Sequence, residues 1–297
     1  MFAFLFKTVF RLLALLPLSA LHSLGALLGR LTYAASVQYA ARTRENLRQA
    51  GLTEDEAAYR SVLSATIAEA GKGITELAWV WGRTYDEVVG AVQECIGLEH
   101  IIAAQERGKG IIFLTPHLGC FEISALYAAR RVPITVLYRP PKLGFLEGVM
   151  RGGRERGQAR LAKADVSGVR LLYKALKRGE AIGLLPDQVP SQGEGEWADF
   201  FGRPAYTMTL AGRLAESSGA TVLITFSERL PHGQGYVIHV EPLALDFAAP
   251  VPQQVNAALE RMIRACPAQY LWSYNRYKIP RGVSAPTPHS PLSTPAS

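Results

Sequence analysis

The chain has 297 residues, 48% of them apolar, with a formal charge of +7 and a pI of about 9.4. That length fits one large or two small domains, and the basic balance points to an anionic partner: nucleic acid, an anionic membrane or a phosphorylated substrate. The three cysteines, Cys95, Cys120 and Cys266, are odd in number and not at metal-ligand spacing; this argues against a disulfide framework or a zinc site and fits a reducing compartment.

Residues 1–31 are the most apolar part. Lys7 and Arg11 flank a run from Leu12 to Gly29 without Asp, Glu, Lys or Arg. Its 18 residues fall just short of the ~20 that span a bilayer. The segment is expected to be a membrane anchor; a cleaved signal peptide shares the basic start and apolar run, and a buried helix is the plain alternative. Arg30, Arg42, Arg44 and Arg48 follow closely, which would keep what comes next on the cytoplasmic side. Residues 37–94 read as helices. Thr53 and Glu56 form an expected capping box, Gly71 and Gly73 mark an expected break, and Trp79 and Trp81 read as core or interface residues.

From residue 98 strands and helices alternate. Strands are expected at 110–115, 133–138, 181–186, 221–227 and 235–241, and helices at 121–130, 143–152, 167–178, 208–218 and 252–265. This order predicts an α/β fold with a mostly parallel central sheet flanked by helices, ending in an antiparallel hairpin at the sheet edge. The expected organisation is an anchor over 1–31, a helical lead-in and α/β domain over 32–279, and a disordered Pro/Ser/Thr-rich tail over 280–297.

The stretch 110–122 organises the domain. Ile111 to Leu114 read as a buried strand, broken by Thr115-Pro116, so His117 stands at the carboxyl end of a strand, where open α/β sheets do their chemistry. Glu122 opens the next helix. On one continuous helix the two would point about 140° apart. They can meet only with His117 in the loop and Glu122 in the first turn, which Pro116 and Gly119 permit. The expected result is an imidazole with a carboxylate against its far nitrogen. A loop pair of no consequence is the plain reading of the same two residues.

Eleven basic residues between Arg139 and Arg178 face three acids, an excess of eight. A solvated face is the default, yet Arg139 ends the second strand, near His117, where it could hold a phosphate. Aromatic residues are not interleaved there at the density that stacking on single-stranded nucleic acid requires. Asp187 and Gln188 follow the third strand, and a long loop, Ser191 to Ala205, carries Phe200-Phe201 and Arg203, a possible anion contact. Cys120 raises a thiolate alternative, and His117, Glu122 and Asp187 a metal-dependent one.

Together these segments resemble the lysophospholipid acyltransferase superfamily, marked by His-x4-Asp or His-x4-Glu, and more closely the bacterial lipid A late acyltransferases. The matching residues run in order: Arg42-Thr-Arg-Glu-Asn-Leu, Thr115-Pro-His-Leu-Gly-Cys-Phe-Glu, Tyr138-Arg-Pro, Gly153-Arg, Lys174-Ala-Leu-Lys-Arg-Gly-Glu, Pro186-Asp-Gln, Phe200-Phe-Gly-Arg-Pro-Ala and Gln269-Tyr-Leu-Trp. The resemblance implies a glycerolipid acyltransferase-like fold and acyl transfer from a thioester on acyl carrier protein to a hydroxyl of a lipid A precursor at the cytoplasmic face of the inner membrane. It implies His117 as general base, Glu122 as its charge partner and Arg154 in the active site, with Arg151 and Arg156 close enough in sequence to compete for that position. Arg139, Asp187, Gln188 and Arg203 become substrate-binding candidates. No cofactor, metal or nucleic acid is expected. Related glycolipid acyltransferases share the pattern, so the acceptor is left more open than the reaction, and a non-catalytic lipid-binding protein on the same fold is the alternative.

Overall fold

Pro17 divides the apolar N-terminus. In the computed structural model, which describes residues 2–286, α1 (Phe2–Ala14) ends before it and α2 (Leu18–Ala35) begins after it. Proline has no amide to donate and its ring clashes with the preceding turn, so it opens a helix rather than sitting inside one. The uncharged run is therefore not a single helix. Among the described residues no helix is long and apolar enough to cross a membrane.

After α3 (Val37–Gln49), α4 runs unbroken from Glu56 to Gly82. Gly71, expected to mark a break, instead lets α2 and α4 touch backbone to backbone. A Cβ at Gly25, Gly29 or Gly71 would run into the facing helix. The N-cap of α4 is Asp55, whose carboxylate accepts the Ala58 amide at 2.7 Å, and not Thr53. A capping box is formed by Thr84 and Glu87, at the start of α5 (Tyr85–Gly90).

The sheet has seven strands: β1 (Val92–Ile96), β2 (Ile111–Leu114), β3 (Ile134–Tyr138), β4 (Ala159–Lys163), β5 (Ala181–Leu184), β8 (Thr221–Arg229) and β9 (Tyr236–Pro242). Their spatial order is β1-β9-β8-β2-β5-β3-β4. All neighbours are parallel except β8 and β9. The expected hairpin is present but does not form the edge, because β1 covers β9. β1 falls in a segment expected to be helical, and β4 was not expected. Both are edge strands with exposed residues among the half-buried and buried ones, so neither carries the continuous apolar run that identifies a central parallel strand.

Ile111, Phe113, Ile134, Ala181 and Leu223 form the core on one face, under α6 (Leu98–Arg107), α7 (Phe121–Ala128) and α8 (Gly144–Arg154). Ile112, Leu114, Ile182, Leu184, Val222 and Ile224 form it on the other, under α9 (Val166–Lys177), α10 (Leu210–Ser218) and α11 (Val251–Ala265). The expected loop over 191–205 is largely a second small sheet, the hairpin β6 (Gly195–Phe200) and β7 (Arg203–Met208). Its two turn residues, Phe201 and Gly202, have φ of 50° and 70°, the sign a two-residue type I′ turn requires at both positions. Phe200 and Phe201 are buried in the core. Residues 287–297, most of the expected disordered tail, lie outside the described residues.

A buried ion pair joins the N-terminal helices to the sheet. Arg229, at the end of β8, forks onto Glu76 of α4, with Nε 2.9 Å and Nη2 2.6 Å from its oxygens. Tyr236 donates to the same carboxylate at 3.2 Å and His22 of α2 stands 3.4 Å away. Burial pushes the Glu76 carboxyl up, but Arg229 and His22 outweigh it and hold the group at about 2. Replacing Glu76 with Ala leaves a guanidinium buried without its counter-ion, at an expected cost of about 3–5 kcal/mol. The check is the urea midpoint; a Glu76→Met/Arg229→Met double variant, which buries no charge, recovers the larger part of the loss.

Candidate active site

The loop from β2 to α7 is clamped from three directions. The Leu271 amide donates to the His117 carbonyl at 3.0 Å, the Gly119 amide to the Gln269 carbonyl at 3.1 Å, and the Cys120 amide to the Ser227 carbonyl at 2.8 Å. Arg229 Nη2 donates to the Gly119 carbonyl at 2.7 Å. Gly119 has φ of 62° and lies so close to Ser227 that a Cβ would strike its carbonyl, so only glycine fits both constraints. The Gln269 amide brackets the Arg229 backbone, accepting its N–H at 2.8 Å and donating to its carbonyl at 3.0 Å. Asn46 of α3 donates to the carbonyls of Trp272 and Tyr274 at 2.7 and 3.0 Å. The Arg42–Leu47 and Gln269–Trp272 motifs thus serve the loop that carries His117.

Asp187, not Glu122, is the carboxylate on the imidazole. Its Oδ1 and Oδ2 lie 3.0 and 3.2 Å from His117 Nδ1, and Oδ2 also accepts the His117 amide at 2.9 Å. A carboxylate there assigns the proton to Nδ1 and leaves Nε2 as the acceptor. Burial is the largest single influence and pulls the imidazole pKa down, but the charge and hydrogen bond of Asp187 and the charge of Glu122 together outweigh it, and the net shift is upward. Burial pushes the Asp187 carboxyl up, and His117 more than offsets it, so the group stays below its ordinary range. The ring meets Phe121 edge-on at 4.8 Å and stacks on Tyr274 at 6.2 Å. Gln188 Nε2 stands 3.4 Å from His117 Nε2.

Glu122 lies in the first turn of α7 as expected, but its carboxylate turns to α8 and α4. Arg154 grips it with both Nε, at 2.7 Å, and Nη2, and the Trp81 indole donates to it at 3.0 Å. The expected direct His117–Glu122 contact is therefore replaced by two carboxylates with separate cations. Glu122 still adds to the negative field that raises His117. The geometry also separates the three neighbouring arginines. Arg151 pairs with Glu155 and Tyr138, Arg156 donates to the carbonyls of Val80, Arg83 and Gly153, and Arg154 alone of the three reaches Glu122. Trp81, read from the sequence as core or interface, carried no signal of its site contact.

His117, Glu122, Arg154, Arg139 and Gln188 all line one cavity of about 940 Å³ at the carboxyl edge of the sheet. It reaches over both faces. One lobe runs beneath α7 and α8, past Phe113, Val136, Leu161 and Gly183; the other runs between α9 and α10, past Val169, Leu210, Leu214 and Ser217. Gly183 lies mid-strand in β5, paired with Phe113 and Val136. A Cβ there would sit 3.2 Å from Val136 Cγ2, so the glycine keeps the first lobe open.

Arg203 does not belong to this site. It lies at the start of β7, pairs with Glu45 at 3.0 Å and stacks over Tyr277 at 4.5 Å. The hairpin turn, invisible in a reading of 191–205 as loop, directs it away. Cys120 is buried, and burial together with Glu76 raises its thiol well above the ordinary range, the opposite of an activated thiolate. Among the described residues no three His, Cys, Asp or Glu groups are placed to hold a metal.

Over 277 residues, 90% of this chain and 89% of the relative, the chain is 28% identical to the lipid A biosynthesis lauroyltransferase of Escherichia coli K12. It is 28% identical over 217 residues to the palmitoleoyltransferase of the same organism, covering 71% of this chain and 69% of the relative. With the E. coli myristoyltransferase it shares 25% identity over 181 residues, 59% of this chain and 56% of the relative. The model of the bacterial lipid A biosynthesis acyltransferases matches residues 1–279, and the chain belongs to that family.

Proposed function

We propose that the protein is a membrane-associated O-acyltransferase that moves a fatty acyl chain from an acyl carrier protein thioester to a hydroxyl of a lipid A precursor at the cytoplasmic face of the inner membrane. The observation that carries this reading is His117, its Nδ1 held by Asp187, beside a large, mainly apolar cavity at the sheet's carboxyl edge. The names of the relatives support the acceptor class.

An aliphatic hydroxyl is a poor nucleophile at neutral pH and needs a positioned base. His117 Nε2 takes its proton as the oxygen attacks the thioester carbonyl, and Asp187 stabilises the imidazolium formed. The tetrahedral oxyanion collapses, the C–S bond breaks, and the thiolate leaves with the proton returned by His117. A thiol leaves more readily than an alkoxide, so the transfer requires no metal, ATP or other cofactor. Arg154, fixed by Glu122, and the free first-turn amides of α7 are the candidate stabilisers of the oxyanion. The Cys120 and Ile123 amides are already engaged with the Ser227 and Cys120 carbonyls. Arg139 and Gln188, both at the cavity wall, bind the polar part of a substrate.

The direct test is mass spectrometry of products from purified protein, acyl carrier proteins bearing different chains and a tetra-acylated lipid A precursor. His117→Ala abolishes transfer while the protein stays folded; an unchanged rate rejects the assignment. Asp187→Asn lowers kcat/KM by about 10²–10⁴-fold. It also moves the acidic limb of the pH profile. Asp187 raises the His117 pKa, so wild-type activity rises at a pH above that of an ordinary imidazole. Without the carboxylate burial pulls the pKa down, and the limb moves to lower pH. Glu122→Gln moves the limb less, because Glu122 contributes the smaller field, but loses rate through Arg154. Gly183→Val narrows the first lobe and shortens the preferred acyl chain, read from the product mass.

A further inference from the structure

We propose that the first lobe of the cavity binds a hydroxyl carried near the thioester end of the incoming chain, so that the donor selected is a hydroxyacyl rather than a plain acyl thioester. This deepens the acyl-transfer reading above and rests on it. The element that would bind the hydroxyl is a polar shelf in an otherwise apolar lobe, formed by Thr115, Thr225 and Ser124.

The shelf follows from the register of the central strands. β2 and β8 run parallel, with Phe113 beside Leu223 and Leu114 beside Ile224. Thr115 and Thr225 come next, side by side where the ladder ends, and the Thr115 amide still donates to the Leu184 carbonyl at 2.9 Å. Side chains alternate along a strand. Phe113 and Leu223 belong to the core under α7, so the threonines two residues on face the same side, into the first lobe. They are 9% and 3% exposed, and both line the cavity. Neither threonine hydroxyl has a hydrogen-bond partner among the described residues. Ser124 of α7 completes the shelf, its hydroxyl paired with that of Ser227 at 2.7 Å. That pair uses one hydroxyl proton and leaves the other free to donate.

Depth fixes which part of a chain meets these hydroxyls. Two residues along a strand span about 6.6 Å. The shelf therefore lies one layer nearer the carboxyl edge than Phe113 and Gly183, and His117 stands two residues beyond Thr115. Deeper in the lobe the lining turns apolar, with Ile134, Val136 and Leu161. A chain whose carbonyl sits at His117 passes the shelf with its first few carbons and fills the apolar depth with the rest. The reacting carbonyl itself belongs above the shelf, beside the imidazole. A plain alkyl chain drawn across the threonines would exclude water from both hydroxyls and return no partner, and a buried hydroxyl left unpaired is costly. A hydroxyl on the chain accepts from one threonine and donates to the other. A site built to bond a substrate hydroxyl rejects the analogue without it far more strongly than an apolar pocket discriminates by size.

The test measures binding and transfer separately on the purified full chain. Dodecanoate and its α-hydroxy and β-hydroxy derivatives are compared by equilibrium binding, and the matching acyl carrier protein thioesters by kcat/KM with one lipid A precursor. One hydroxylated form binds about tenfold or more tightly than dodecanoate, and its thioester is preferred by a similar factor. The product of that donor is heavier by one oxygen. Thr225→Val and, separately, Thr115→Val keep the side-chain shape and remove most of both preferences. Neither lowers Tm, because deleting an unpaired buried hydroxyl takes no hydrogen bond from the fold. Equal or tighter binding of dodecanoate by wild type overturns the proposal. So does an equal loss of kcat/KM for all three donors in the threonine variants, which would place the hydroxyls at the reacting carbonyl. Wild type that prefers a hydroxylated acid in binding but transfers no donor defeats the enzymatic reading instead and leaves the hydroxyl site standing.

Discussion

The fork between Arg229 and Glu76 is the contact on which the arrangement of the site depends. Its energy is spent on geometry more than on stability, since a buried ion pair gains little over well-packed apolar groups. Arg229 satisfies two acceptors at once, the carboxylate of α4 and the carbonyl of Gly119. The first belongs to the helical lead-in and the second to the loop that carries His117. Any shift of α4 would strand a buried charge or a buried carbonyl, and either outcome is costly. The loop is thereby tied to the N-terminal helices as firmly as to the strands that flank it, and the Gln269 amide closes the ring by bracketing the Arg229 backbone.

Within that frame the site separates its charges. Two carboxylates, Asp187 and Glu122, lie close to one imidazole, yet each has its own cation. Asp187 faces His117, and Glu122 faces Arg154. Like charges brought together without partners would each be driven toward protonation. Pairing them separately keeps Asp187 ionised, where it can orient the ring, and fixes the Arg154 guanidinium at the cavity wall. His-x4-Glu is thus one half of a four-residue arrangement whose other half, Asp187 and Arg154, arrives from β5 and α8. The cavity over both sheet faces is possible because the loops after β2, β3 and β5 all open at the same edge.

The N-terminal helices answer two demands with one sequence. Small residues on the inner face of α2, Gly25 and Gly29, let it settle on the α4 backbone at Gly71. Leu27, Leu28 and Leu31 on another face are exposed among the described residues.

Much of this was legible in the chain alone. The central strands and the helices after residue 98 follow from local signals: apolar runs, the Pro116 break and helical periodicity. His117 at a strand end and Glu122 in the next helical turn follow from the same signals, because backbone geometry over six residues is local. Edge strands β1 and β4 escaped because half their residues face water and mimic loop or helix. The Phe201-Gly202 turn escaped because a positive φ at a phenylalanine has no composition signal. What the tertiary structure alone decided is who pairs with whom. Asp187 lies 70 residues from His117, and Arg229 153 residues from Glu76; no short-range rule links them. The sequence by itself determined which residue types stand at the sheet's carboxyl edge. Only the folded chain, by choosing which buried charges could be satisfied together, determined that Asp187 holds the imidazole and Glu122 holds Arg154.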